Sequence, residues 1–258
     1  MQIHFYKYHG TGNDFILIDN RENKVMLDRE QIAFLCHRRF GIGADGLMLL
    51  ENEPGYDFRM VYYNSDGNES TMCGNGGRCI TAFAQKLGVF NMLTSFVAID
   101  GAHSASIHRD GTVSLDMIDV KEIEVREDHF IINTGSPHYI IWVDNVASID
   151  VVNEGRKIRN EDRFAPKGIN VNFVQKLEDG LRVRTYERGV EDETLSCGTG
   201  VTAAAIALKA QETGTFTVPV ETPGGTLEVS FNKYTAESAT DVVLKGPAVF
   251  VFEGDILI

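Results

Sequence analysis

Over the first residues, Met1-Gln2-Ile3-His4-Phe5-Tyr6-Lys7, apolar and polar side chains alternate as they do along a half-buried strand. A glycine-bearing turn, His9-Gly10-Thr11-Gly12-Asn13-Asp14, leads to a second strand, Phe15 to Ile18, ending at Asp19-Asn20. The spacing then changes. Asp28 can cap a helix over Arg29 to Arg39, apolar at Ile32, Ala33, Phe34 and Leu35 and stopped by Gly41. A glycine-rich loop, Gly41-Ile42-Gly43-Ala44-Asp45-Gly46, precedes the apolar strand Leu47 to Leu50, and it has neither the flanking order of a dinucleotide fingerprint nor the lysine of a phosphate loop. Two runs, Cys79 to Leu87 and Val201 to Leu208, are apolar nearly all round a helix, which predicts burial on every side. Short strands with turn signals follow each: Phe96 to Ile99, Ser104 to His108 and Val113 to Asp116 after the first, and Val218 to Glu221, Leu227 to Phe231 and Asp241 to Leu244 after the second.

The second half retraces the first at a shift of 123 to 125 residues. Thr11-Gly12-Asn13-Asp14-Phe15 is echoed by Thr134-Gly135-Ser136-Pro137-His138, Gly43 falls opposite Gly168, Phe58 to Asn64 aligns with Leu181 to Glu187, and Cys73 aligns with Cys197. An ordered series of matches at nearly one offset indicates duplication. The expected fold is α+β: two pseudo-symmetric domains, each a curled, antiparallel-rich, barrel-like sheet around a central helix, with the active site in the cleft between them. The expected domains are 1–117, carrying Cys73, and 118–247, carrying Cys197. The last strand, 248–258, has no counterpart in the repeat and is expected to return to the first domain.

Composition narrows the function. The chain has 258 residues, 43% of them hydrophobic, enough for a sizeable core. Thirty-seven acidic against 24 basic residues give a net charge of -13, and a field of that sign repels nucleic acid and anionic membranes. No apolar run approaches the roughly 18 residues of a membrane span, and the opening residues do not read as a signal peptide, so a cytoplasmic protein is expected. Its expected partners are a small-molecule substrate and a second copy of the chain in a homodimer. Four cysteines, Cys36, Cys73, Cys79 and Cys197, are too few and too scattered for a disulfide framework, and their spacings do not match a zinc site. Cys36 and Cys79 fall inside helices as packing residues.

Cys73 and Cys197 are different. Each stands in a Cys-Gly-X-Gly turn placed directly before a buried helix, where unpaired backbone N–H groups and the positive end of the helix dipole hold anions and lower a thiol's pKa. A cysteine nucleophile needs one cysteine and a histidine base, whereas here there are two equivalent thiols. Two thiols facing one carbon suit racemisation or epimerisation, one removing a proton and the other delivering one to the opposite face. The N–H groups of Gly74-Asn75-Gly76 and Gly198-Thr199-Gly200 supply the means to stabilise charge moving onto the substrate's carboxylate. A reversible disulfide pair and an amino-acid-binding protein without catalysis are the alternatives.

The motifs His9 to Phe15, Asn64 to Cys79, Gly135-Ser136-Pro137-His138, Gly168 to Asn172 and Tyr186 to Gly200 closely resemble those of diaminopimelate epimerase. That resemblance implies an epimerase working without pyridoxal phosphate, metal or other cofactor. It would convert LL- to meso-diaminopimelate in lysine and cell-wall precursor synthesis. It implies Cys73 and Cys197 as the acid and base, and Gly74, Asn75, Gly198 and Thr199 under the reacting carboxylate. Asn13, Asn64, Asn170, Glu187 and Arg188 would read the far amino-acid end, and His138 would order the site beside one cysteine. Ser136 and Gly46 depart from the family pattern, in which many members have Asn and some have Gln, and the segment from Asp116 to Asn133 is short for the family. A proline or hydroxyproline-type racemase is the nearest rival within the superfamily.

Overall fold

The computed structural model describes residues 1–258. Its contacts divide the chain into two units, Met1–Leu115 with Gly246–Ile258, and Asp116–Lys245. In the first unit β1 (Gln2–Gly10) turns at Thr11-Gly12 into β2 (Asn13–Asp19), so the turn is tighter than the sequence suggests. Helix α1 (Arg29–Cys36) begins as expected: Asp28 accepts from the Gln31 amide while the Gln31 side chain accepts from the Asp28 amide, a reciprocal cap. It ends three residues before Arg39, because His37 turns extended and its Nδ1 accepts from the amides of Arg39 and Phe40, starting a new turn.

The chain continues through β3 (Gly46–Glu51), β4 (Phe58–Asn64), α2 (Gly74–Lys86), β5 (Leu93–Ala98), β6 (Gly101–Ile107) and β7 (Val113–Asp116). The ladder is mixed: β2 with β3 and β4 with β5 run parallel, and the remaining neighbours run antiparallel. Parallel pairing needs cover on both faces, and the strands supply it by alternation. Ile16, Ile18, Leu47 and Leu49 join Ile32 and Leu35 of α1 in one cluster. The alternate residues Phe15, Leu17, Met48 and Leu50 are buried too, on the other face. There α2 lies across β1, β2, β3 and β6, with Phe83 against Tyr8 and Gly76 against Met48.

The second unit repeats this order. β8 (Ile123–Val125), β9 (His129–Asn133) and β10 (Pro137–Trp142) precede helix α3 (Val151–Arg159), then β11 (Asn170–Leu177), β12 (Gly180–Glu187), the short β13 (Asp192–Thr194) and α4 (Gly198–Leu208), then β14 (Gly214–Thr222), β15 (Gly225–Lys233) and β16 (Thr240–Gly246). Parallel pairs again fall between β10 and β11 and between β12 and β14. Val201, Ala204 and Ile206 of α4 pack with Val174, Leu181, Val229 and Leu244, and the opposite face of β11 and β12, at Val171, Phe173 and Tyr186, packs with Val151 of α3. Helix α3 is absent from the sequence reading: only Val151, Val152 and Ile158 break its polar run, although Asp150 caps it by accepting from the Asn153 amide.

Within each unit the strand pairings run in one open series rather than closing on themselves. The final strand, β17 (Val249–Leu257), pairs antiparallel with β1. That is the position β8 holds beside β9, so the last strand does have a counterpart: one edge strand precedes its unit in sequence and the other follows it.

Gly155 shows how closely α3 sits on β12: a Cβ there would lie 2.4 Å from the Tyr186 Cβ. Helix propensity alone favours alanine over glycine by about 1 kcal/mol. The clash should reverse the sign, so Gly155→Ala is expected to cost about 1–3 kcal/mol, read as a lower urea midpoint at unchanged slope. A raised midpoint would show that the contact relaxes without cost.

Candidate active site

Helices α2 and α4 start at Gly74 and Gly198, so the Cys-Gly-X-Gly motif is the first helical turn itself and not a turn before it. Cys73 and Cys197 are the N-caps, both extended in backbone. Serine, threonine, aspartate and asparagine are the favoured caps, and a thiol in that place twice is a departure from what stability alone selects. Glycine in the first turn is also a weak helix former. Burial of Ile80, Phe83 and Ala84 in one helix and of Val201 to Ala207 in the other holds these starts in place.

Around Cys73, Sγ accepts from the Gly76 amide at 3.2 Å. Behind it lies Arg78, fully buried, donating to the carbonyls of Gly74 and Pro247 and to the side-chain oxygens of Asn75 and Thr11. Those four acceptors are neutral. Burial draws the guanidinium down to about 10, which still leaves it charged at neutral pH. A buried cation beside the positive end of a helix makes this turn a strong attractor of negative charge. Arg78 also sets the Asn75 amide, whose oxygen faces the guanidinium while its Nδ2 donates to Asn13 Oδ1 at 3.3 Å. Asn13 in turn donates to Asp45, and Arg38 bonds both Asp45 and Asp14. Burial raises the Asp14 carboxyl, but hydrogen bonds from Arg38 and Lys7 win and hold it at about 2. Asn64 ends β4 opposite Gly46, at the same end of the sheet as Asn13.

The second unit builds its site differently. Cys197 Sγ lies 3.4 Å from the Thr199 hydroxyl, which lies 2.9 Å from Nε2 of His138, and Nδ1 of His138 faces Asn172 Nδ2 at 3.1 Å. Burial, with the nearby Arg188 charge, lowers His138 to about 3, so the ring is neutral. A Cβ on Gly200 would come within 2.3 Å of Asn172 Oδ1, so only glycine admits this network in the helix's first turn. Farther along the same strand ends, Asn170 accepts from the Arg188 amide at 2.9 Å and donates to the Ser136 hydroxyl at 2.8 Å, and Arg188 Nη2 donates to that hydroxyl at 3.2 Å. Glu187 accepts from Thr194 at 2.9 Å. The loop beyond Arg188 is pinned by Glu191, which bonds Arg159, Tyr186 and the Gly189 amide.

Two sets of expected residues are therefore assembled within their units: Cys73, Gly74, Asn75 and Asn13 in one, and Cys197, Gly198, Thr199, His138, Asn170, Glu187 and Arg188 in the other. Arg78, Asn172 and Thr11 carry contacts that the sequence reading assigned to none of them. Their only signal was membership of the repeated motifs. Cys36 and Cys79 are buried in the cores, where loss of water pushes the Cys36 thiol up to about 12 and raises Cys79 as well. Neither is poised for chemistry at neutral pH.

The fold recurs in solved racemases, epimerases and their structural kin. The Bacillus anthracis phenazine biosynthesis protein of the PhzF family superposes with a TM-score of 0.76 at 15% identity, covering 100% of both chains. A probable proline racemase from Agrobacterium radiobacter superposes at 0.73 with 16% identity, over 99% of this chain and 93% of that one. Sequence is more specific. The profile of the family described as diaminopimelate epimerase matches residues 5–122 and 130–251, and this chain belongs to that family. The diaminopimelate epimerase of Flavobacterium psychrophilum is 53% identical over 259 residues, spanning 97% of this chain and 99% of the relative, and that of Chlorobaculum tepidum is 43% identical over 96% and 98%.

The low pKa of His138 has a consequence for stability. An unfolded histidine protonates near 6.5 and the folded one only near 3, so its contribution is full above pH 6.5 and is lost as pH falls toward 3. Between pH 6.5 and 5 the wild type should lose about 1.5 kcal/mol more than His138→Gln does, measured by urea unfolding at each pH. Parallel pH dependence in the two proteins would contradict the neutral, buried ring.

Proposed function

We propose that this chain inverts one α-carbon of LL-diaminopimelate to give the meso form, with Cys73 and Cys197 as opposed base and acid, in lysine and peptidoglycan precursor synthesis. The observation that carries the reading is the duplicated cap: in a chain matched to this family over both halves, a cysteine stands at the N-cap of each buried helix. An amino-acid α-hydrogen is a very weak acid, and removing it places negative charge on the adjoining carboxylate. First-turn amides at Gly74, Asn75, Gly198 and Thr199 are the groups suited to receive that charge, being fixed dipoles that need no reorganisation. One thiolate takes the hydrogen from one face while the other thiol gives its own to the opposite face.

The far end of the substrate carries a second amino-acid head, and Arg188 offers its carboxylate a two-pronged grip while Glu187 accepts from its ammonium. Ser136 accepts from both Asn170 and Arg188, which leaves its hydroxyl hydrogen to donate to that carboxylate. Asn13 and Asn64 complete the reading of this head, which a proline-type substrate lacks. No helix is long and apolar enough to cross a membrane. The reading places the protein in the cytoplasm, where thiols stay reduced.

The direct test is turnover of LL-diaminopimelate by the purified protein, with L-proline as control. Cys73→Ala and Cys197→Ala are each expected to lose epimerisation by at least about 10³-fold with the fold intact, since neither thiol can serve both faces. Cys36→Ala and Cys79→Ala should keep turnover and lower the melting temperature instead. Racemisation of proline in place of diaminopimelate, or near wild-type turnover in either N-cap variant, would sink the reading.

A further inference from the structure

The amide of Asn172 is buried completely, and its orientation follows from its neighbours. The Tyr139 carbonyl lies 3.1 Å from Nδ2, and a carbonyl can only accept, so the nitrogen must face it. The Thr185 hydroxyl meets Oδ1 on the other side at 3.0 Å. With Nδ2 fixed as the donor, the His138 Nδ1 at 3.1 Å has to be the acceptor. A neutral imidazole with an accepting Nδ1 carries its hydrogen on Nε2, and that atom faces Thr199 Oγ1 at 2.9 Å. The Thr199 hydroxyl accepts there, so its own hydrogen remains for the Cys197 sulfur at 3.4 Å.

We propose that Asn172 is a positioning residue for Cys197: it fixes His138 as the Nε2–H tautomer, so that the Thr199 hydroxyl donates to Sγ and favours the thiolate. Each link donates in one direction, from Asn172 through His138 and Thr199 to the sulfur. Burial of the ring supports the order, because an imidazolium would oblige Nδ1 to donate toward Nδ2, and the facing Arg188 charge disfavours that cation further. Gly200 belongs to the same device, since any side chain there would displace the Asn172 oxygen. The first unit has no such relay at the matching place: Asn75 occupies the position of Thr199, and Met48 that of Asn172.

The inference rests on the proposed epimerase reading only for what Cys197 does; the hydrogen-bond order is measurable without turnover. Long-range proton–nitrogen correlation spectra of protein labelled with 15N-histidine, assigned with His138→Gln, should show His138 with a protonated Nε2 and a bare Nδ1 at neutral pH. A protonated Nδ1, or an imidazolium, would overturn the proposal whatever the activity. Asn172→Asp replaces the donor by an acceptor and should move the hydrogen to Nδ1; an unchanged tautomer would mean that Asn172 does not set it. Should that variant not fold, the wild-type spectrum still decides. For the last link, Thr199→Val should lower kcat by about 10- to 100-fold, as loss of a hydrogen bond to a charged group does, while Thr199→Ser restores it to within a few-fold. Equal losses in Val and Ser would contradict a hydroxyl role. Absence of LL-diaminopimelate turnover in the wild type would count against the epimerase reading and leave the tautomer result standing.

Discussion

The first amides of a helix have no carbonyl of their own helix to bond, and burying such an end obliges something oxygen-bearing or anionic to meet them. This chain buries two, at Gly74 and Gly198, and places a thiol at the cap of each. Other features of the sheets and cores serve that arrangement. Strands covered on both faces, α1 or α3 on one side and α2 or α4 on the other, hold the glycine-rich helix starts that propensity alone does not. The strand ends carry polar side chains at one end of each sheet: Asn13 and Asn64 in one unit, His138 and Asn170, with Arg188 just beyond β12, in the other.

The two halves share a topology and differ in electrostatics. Around Cys73 the field comes from a buried guanidinium that stays charged, Arg78. At the matching position of α4 stands Thr202, whose hydroxyl bonds back to the Gly198 carbonyl. Around Cys197 the work falls to a neutral chain of donors through His138 and Thr199. The proposed two-base reaction needs one thiolate and one thiol at any moment, and each environment offers its sulfur a different source of positive potential. Duplication sets the geometry of the two helix starts, and divergence between the halves sets their asymmetry.

Much of the fold was legible in the chain. Period-two alternation marked β1 and all-round apolar runs marked α2 and α4, because burial leaves its record in the local pattern, while the Asp28 cap marked α1 through a local side-chain hydrogen bond to the Gln31 amide. Helix α3 was not, since it buries one narrow side with Val151 and Gly155 and looks polar elsewhere. Parallel pairing of β2 with β3 and β10 with β11 is invisible to alternation, which reports faces and not neighbours. The equivalence of β17 and β8 was hidden because the two stand at opposite ends of their units in sequence. For the site, residue types and the repeat placed both cysteines at helix starts. That Arg78 reaches Pro247, Asn172 reaches His138 and Ser136 meets Arg188 could not be read, because those pairs lie 169, 34 and 52 residues apart in the chain.

The central claim, that two cysteines act on opposite faces of one carbon, is tested most directly by following hydrogen in heavy water. A thiol carries one exchangeable hydrogen, so the group that takes the substrate's α-hydrogen cannot be the one that protonates the far face. Mass spectrometry in the first few per cent of LL-diaminopimelate turnover should find deuterium at the inverted carbon of nearly all the product and almost none in the remaining substrate. Substantial retention of the original hydrogen in the early product would mean that a single base serves both faces, and would contradict the assignment of Cys73 and Cys197.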